Sequence, residues 1–316
     1  FMSANLIQKE LRIFSNDLPT VGPIAFGLWR YTTDDLYEAT KLLDTAIELG
    51  MNLIDNADVY GFDWGGEGFG ACEELLGRVI KSKPDLRDQI VLSTKGGIVP
   101  PVPYDSSRQY LRSACEASLK RLQVEQIDLY QIHRPDIYTH PSEVAEVLDS
   151  LVSEGKIKTV GVSNYSPNQV SVLSSHMDAP LVATQPEFSV NCLTPLRDGT
   201  FDQCLSTGMV PLAWSPLSGG KLATGDGIRP ELIELLDELS NKKNSLETTF
   251  QSKATEKSQN KEMLNTQQII NVSNENQIDK TILEPKIIKN SKSPQNFSEM
   301  LDLLLKNKEA LLHAQI

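Results

Sequence analysis

Seven short apolar runs, separated by amphipathic stretches, recur between residues 24 and 214. They are Ile24–Phe26, Asn52–Asn56, Ile90–Thr94, Asp128–Ile132, Thr159–Val162, Leu181–Gln185 and Val210–Trp214. Each has the length of a strand. The stretches between them, Asp34–Leu49, Glu73–Ile80, Ser107–Leu122, Pro141–Glu154, Pro167–Ser174 and Asp198–Ser206, carry helical patterns. In Ser166-Pro167 a hydroxyl N-cap precedes a proline suited to the first helical turn. Strands that alternate with helices pair in parallel, because each helix is the crossover. A closed barrel of this kind needs eight strands. The expected fold is therefore an α/β protein, a (β/α)8 TIM barrel, with an atypical C-terminal region in place of a clear eighth unit. Leu6–Phe14 is expected as a cap over the barrel floor.

The chain has 316 residues, enough for one barrel, which typically takes roughly 250. Its character changes near residue 240. Residues 241–316 contain no Gly or Arg, and their 11 Lys slightly outnumber nine Asp and Glu. The expected organisation is a barrel over residues 1–240 and a divergent polar region over 241–316, with strand eight near 285–289. The net charge of −12 argues against nucleic acid or an anionic membrane as a partner. The first residues show no charged segment leading into an apolar run, and the four cysteines have no metal-ligand spacing. A cytoplasmic location with no structural metal is expected.

Function in a parallel barrel sits at the carboxyl ends of the strands. Strand two runs into Asp55-Asn56-Ala57-Asp58-Val59-Tyr60-Gly61, and strand three into Ser93-Thr94-Lys95-Gly96-Gly97. Strand four ends Gln131-Ile132-His133-Arg134-Pro135-Asp136. A Lys facing a barrel interior is costly unless a carboxylate pairs with it, and Asp55 is the obvious partner. An ammonium beside a phenol favours the phenolate, so Lys95 is expected to lower the pKa of Tyr60 from about 10 toward neutrality. Tyr60 then becomes a usable proton donor to a carbonyl oxygen.

These segments, together with Gly161-Val162-Ser163-Asn164, resemble the signature motifs of the aldo-keto reductases over roughly residues 20–225. The resemblance implies carbonyl reduction by a nicotinamide cofactor, usually NADPH, with NADH not excluded. It implies Tyr60 as general acid, Lys95 as the group that tunes it, Asp55 as the partner of Lys95, and His133 as the residue orienting the carbonyl. It implies Ser163, Asn164 and Gln185 on the carboxamide, and Trp214 stacked on the nicotinamide ring, where Tyr is more usual. Ser215, Leu217 and Gly219 fall in a loop resembling the one that wraps the pyrophosphate. In the tail, Ser291 and Lys292 match the phosphate-contacting positions, but Asn296 stands where an Arg is expected. Lys does not replace the bidentate fork of Arg. Trp29, Trp64 and Arg134 are expected to line the substrate pocket, along with the loop aromatic Tyr31.

Two other classes fit parts of this pattern. A lyase would use Lys95 as a Schiff-base nucleophile. A regulatory or binding protein would keep the barrel but have lost firm cofactor binding.

Overall fold

The computed structural model describes residues 11–16, 18–62 and 65–241. They fall into two compact units that divide after Gly220. The first holds a parallel sheet of seven strands: β1 (Phe26–Gly27), β2 (Leu53–Asp55), β3 (Val91–Gly96), β4 (Ile127–Ile132), β5 (Ile157–Ser163), β6 (Leu181–Gln185) and β7 (Val210–Pro211). Their spatial order is their chain order, as βα repetition requires. The crossovers are α1 (Leu36–Glu48), α2 (Ala71–Ser82), α3 (Arg108–Leu122), α4 (Pro141–Ser153), α5 (Pro167–Ser174) and α6 (Thr200–Thr207). This is the TIM-barrel arrangement. Among the described residues β1 and β7 each pair on one side only. The expected strand eight, and all of 241–316 except Asn241, lie outside the described residues. In the second unit, the described part holds a short helix, Lys221–Thr224, and helical residues 230–241.

Local chemistry explains the helix starts. The Asp35 carboxylate accepts from the Tyr37 and Glu38 N–H groups, and Ser107 caps α3. Ser166 and Gln169 form a reciprocal capping box on α5. His140 caps α4 by accepting from Ser142 N–H. In α1 the residues Ala39, Leu43 and Ala46, spaced three and four apart, are buried. Helices α2 and α3 approach so closely that a Cβ on Gly77 would stand 2.1 Å from the Arg121 carbonyl oxygen. Sequence periodicity did not indicate the small hairpin Ile98–Val99 with Val102–Tyr104 that follows β3.

The barrel interior is layered. Phe14, Leu18 and Val21 pack with Leu53, Val91, Leu129 and Ala183 at the lower ends of their strands. The described end of the predicted N-terminal cap therefore does plug the floor, and Arg12 bridges to Val21. Two residues further along the strands the interior turns polar, at Asp55, Ser93, Gln131 and Gln185, all buried.

Outside the barrel wall, the Asp128 carboxylate is held by Arg87 at 2.8 Å, Lys158 at 2.8 Å and the Leu92 N–H at 2.9 Å. Burial alone would raise its pKa, but these partners outweigh burial and the net direction is down. The stabilisation is thus complete above the ordinary carboxylate range and is lost as pH falls through the lower folded value. Asp128→Asn is expected to flatten the acid limb of stability, measured by urea unfolding from pH 7 downward. An unchanged acid limb would count against this assignment.

Candidate active site

The upper ends of β2, β3, β4, β5 and β6 present their polar residues to one cavity. Strand register sets this: Lys95 is level with Gln131, Gln131 with Gly161, and Ser163 with Gln185. The cavity, about 260 Å³, is lined by Trp29, Val59, Tyr60, Ile98, His133, Arg134, Ser163, Asn164, Gln185 and Trp214.

Lys95 is almost fully buried. Its Nζ donates to Asp55 Oδ2 at 2.7 Å, to the Asn56 carbonyl at 2.9 Å and to Tyr60 Oη at 3.2 Å. All three donors of the ammonium are thereby used. Burial pulls the Lys95 pKa down, but Asp55 and Tyr60 outweigh it, so Lys95 stays protonated. Tyr60 departs from expectation. Its pKa is raised, not lowered, because burial of the phenolate outweighs the attraction of Lys95, and Asp55 adds to the rise. The Lys–Tyr contact itself is as predicted. The sequence pattern shows the neighbouring charge but not how dry the site is.

His133 stands edge-to-face with Tyr60, ring centroids 5.8 Å apart. Burial, Lys95 and Arg134 together hold its pKa well below 6.5, so the imidazole is neutral at pH 7. Its Nδ1 is buried without a hydrogen-bond partner among the described residues.

Ser163, Asn164, Gln185 and Trp214 form a connected wall. Asn164 Nδ2 donates to the His133 carbonyl at 3.1 Å and to Ser163 Oγ at 2.9 Å. Trp214 Nε1 donates to Asn164 Oδ1 at 3.0 Å, which anchors the edge of the indole. Ser163 Oγ donates to the Gln185 carbonyl at 3.1 Å. Gln185 also reaches inward, its Nε2 donating to Asp55 Oδ2 at 3.0 Å. Asn164 adopts φ 60°, a conformation Asn tolerates better than most residues.

Ser215, Leu217 and Gly219 lie on the loop after β7 and do not line this cavity. Ser215, Ser218 and Gly219 all have positive φ, at 54°, 53° and 67°. Strain of this kind concentrates where a backbone must present its amides. Trp29 and Arg134 line the cavity, and Arg134 has neither hydrogen bond nor ion pair among the described residues. Trp64, Ser291 and Lys292 lie outside the described residues. Tyr31 is no pocket aromatic: it is fully buried in the core, and its hydroxyl donates to the Ala39 carbonyl at 2.7 Å. Ser93, Gln131, Val59 and Ile98 were missed. Strand alternation places Ser93 and Gln131 inward, which is a usable signal. Ile98 had none, because its hairpin was unrecognised.

Among the described residues no group of three His, Cys, Asp or Glu could hold a metal, and no helix is long and apolar enough to cross a membrane.

A model of the aldo/keto reductase family matches residues 23–282, beyond the stretch in which motifs are readable by eye. The chain is 47% identical over 215 residues to a 6-dehydroglucose reductase of Novosphingobium aromaticivorans, covering 67% of this chain and 70% of that protein. It is 34% identical over 226 residues to a 6-dehydroglucose reductase of Agrobacterium fabrum, covering 68% and 74%. Among solved structures it resembles the glycerol dehydrogenase of Gluconobacter oxydans, with 33% identity, a TM-score of 0.60 and coverage of 70% and 67%. It also resembles a thermostable aldo-keto reductase in complex with the inhibitor epalrestat, with 26% identity, a TM-score of 0.63 and coverage of 74% and 81%. The chain belongs to the aldo/keto reductase family and is an oxidoreductase that reduces the carbonyl of a small molecule with a nicotinamide cofactor.

Proposed function

We propose that this chain is an NADPH-dependent reductase of aldehydes carried on polyhydroxylated, sugar-like molecules, with Tyr60 as its general acid. The observation that carries the reading is the hydrogen-bonded chain from Asp55 through Lys95 to Tyr60, ending in a cavity that His133 also faces. The sugar-like substrate rests on the two relatives named 6-dehydroglucose reductase.

The residues present suit a nicotinamide. The cavity offers an indole held by its edge, an amide wall, and a buried His133 nitrogen lacking a partner among the described residues. Trp214 would carry the ring, Ser163, Asn164 and Gln185 its carboxamide, and Ser215, Leu217 and Gly219 the pyrophosphate. The preference for NADPH over NADH rests on the family resemblance alone, because Ser291 and Lys292, which match its phosphate-contacting positions, lie outside the described residues. The cofactor, when bound, supplies the hydride for the carbonyl carbon.

The residues of this chain manage the proton. Tyr60 is a neutral phenol at pH 7, as its raised pKa requires, and gives its proton to the carbonyl oxygen. The phenolate left behind lies 3.2 Å from the Lys95 ammonium, which stabilises charge developing in the transition state. Asp55 keeps Lys95 charged. Neutral His133 orients the carbonyl by hydrogen bonding and carries no charge of its own. Trp29 and Arg134, which line the cavity, contact the rest of the substrate. A Schiff-base role for Lys95 is disfavoured, because all its donors are engaged and the amine stays protonated. The chain's net charge of −12 and free cysteines suit a cytoplasmic enzyme without nucleic-acid or membrane partners.

The test is consumption of NADPH and NADH with 6-dehydroglucose and with a simple alkyl aldehyde. The expected result is faster turnover of the sugar aldehyde, with NADPH the preferred cofactor. Preference for the alkyl aldehyde would overturn the substrate class. No binding of either nucleotide up to millimolar concentration would favour a barrel that has lost its cofactor.

A further inference from the structure

The Asp55 carboxylate accepts four donors, and only one of them is Lys95. Oδ2 takes Lys95 Nζ at 2.7 Å and Gln185 Nε2 at 3.0 Å. Oδ1 takes Ser93 Oγ at 3.1 Å and Gln131 Nε2 at 3.4 Å. Gln131 Nε2 also donates to Ser93 Oγ at 3.0 Å. A chain of polarised bonds therefore runs from Gln131 through Ser93 to Asp55, and on through Lys95 to Tyr60. Ser93 and Gln131 are both fully buried, so bulk solvent does not reach these donors.

Two details indicate a built arrangement. Gln131 Oε1 is buried with no partner among the described residues. A buried amide oxygen is normally satisfied, so the amide is held where its nitrogen is needed at the expense of its oxygen. The facing residue on β5 is Gly161, where a Cβ would stand only 3.2 Å from Gln131 Cγ and 3.0 Å from the Ala183 carbonyl. Room for the glutamine is thus provided by the neighbouring strand. Leu129 in the floor, Gln131, and His133 at the mouth are successive inward positions of β4 and its end. Gln131 occupies the level at which apolar packing would otherwise continue.

We propose that Ser93 and Gln131 are positioning residues for the reduction. They hold Asp55 with Oδ2 turned toward Lys95, and they withdraw part of the carboxylate's charge so that the Lys95 ammonium acts more strongly on Tyr60. The sign follows from the site itself. Asp55 opposes phenolate formation, whereas Lys95 favours it. Donors on Oδ1 weaken the first effect and leave the second intact. Without them the carboxylate binds the ammonium more tightly and Tyr60 becomes a weaker acid.

The experiment compares Gln131→Met, which keeps length and removes the donors, with Ser93→Ala and with Ser93→Thr, which restores a hydroxyl. In Gln131→Met and Ser93→Ala, kcat is expected to fall about tenfold at neutral pH, a part of the general-acid contribution, with KM changed less than about twofold. The alkaline limb of kcat should move to higher pH. The same movement should appear without turnover in the ultraviolet tyrosinate absorbance, taken as the difference from a matched Tyr60→Phe protein. Ser93→Thr should return both toward wild type. Because both residues act through Oδ1, the double variant should be no worse than the more impaired single one. The inference rests on Tyr60 being the acid. A Tyr60→Phe protein that still turns over would remove that reading. An alkaline limb present in wild type and unmoved in folded Gln131→Met or Ser93→Ala would overturn this inference alone, as would a loss confined to KM. If Gln131→Met does not fold, the smaller Ser93→Ala change decides.

Discussion

Tyr60→Phe is expected to lower kcat for carbonyl reduction by about 10²- to 10⁴-fold, the range that a positioned general acid supplies, while nicotinamide binding stays within about twofold. The asymmetry follows from what the hydroxyl touches. Its hydrogen-bond partner in the structure is Lys95 Nζ at 3.2 Å, and Lys95 keeps Asp55 and the Asn56 carbonyl when the hydroxyl is gone. The ring remains to pack against Val59, His133 and the ammonium, which lies 5.0 Å from the ring centre. The fold and the amide wall of Ser163, Asn164 and Gln185 are therefore untouched. The wild-type rate should hold while the phenol is protonated and fall as pH rises through its raised value. That limb should vanish in the variant's residual activity. Steady-state kinetics and a fluorescence titration with NADPH separate the two effects. Turnover within tenfold of wild type would exclude Tyr60 as the acid. Equal losses in kcat and nucleotide affinity would point instead to a collapsed site.

Much of this site was legible because barrel topology turns strand ends into a list of interior positions. Asp55, Lys95 and His133 could be paired across the chain once β2, β3 and β4 were placed side by side. The ends of the strands were less legible. The last strand reads as Val210–Trp214 from hydropathy, and regular pairing ends at Pro211. Yet the Leu212 and Trp214 N–H groups still donate to the Thr184 and Pro186 carbonyls at 2.8 and 3.0 Å. The ladder breaks because Pro186 lacks an N–H to donate to the Leu212 carbonyl. Trp214 bridges to Glu187 through backbone bonds to Pro186 and Phe188, and from that fixed backbone its indole turns toward Asn164. The polar layer beneath the site was illegible for a different reason. A glutamine in a strand does not announce a carboxylate 76 residues away, and Gln131 meets Asp55 only after β2, β3 and β4 have registered. The direction of the Tyr60 shift was lost likewise, since it depends on dehydration produced by the whole barrel.

Glu73 lies in the first turn of α2, where a carboxylate suits the helix dipole, and its setting yields the largest stability effect expected here. It is fully buried, where Oε2 meets Arg121 Nε at 2.7 Å and Oε1 accepts from Thr94 Oγ1 at 2.6 Å. Thr94 is the residue before Lys95, so the pair ties α2 and α3 to the strand that carries the ammonium. Arg121→Met strands a buried carboxylate and should lower unfolding free energy by about 3–5 kcal/mol at pH 7. The double variant Glu73→Gln with Arg121→Met should recover most of this, because the amide oxygen still accepts from Thr94 and no charge is left unpaired. The pH dependence gives an independent check. Burial raises the Glu73 pKa even with Arg121 and Thr94 pulling it down, and losing Arg121 raises it further. A folded-state carboxyl with a raised pKa costs stability progressively as pH rises toward that value and costs nothing once protonated in both states. The deficit of Arg121→Met should therefore shrink as pH is lowered below the ordinary carboxylate range, where Glu73 is neutral whether folded or not. Urea unfolding of the single and double variants at neutral and acidic pH measures all of this. A deficit that is small, or equal at both pH values, would mean that Arg121 contributes through packing against Phe69 and not through the charge of Glu73.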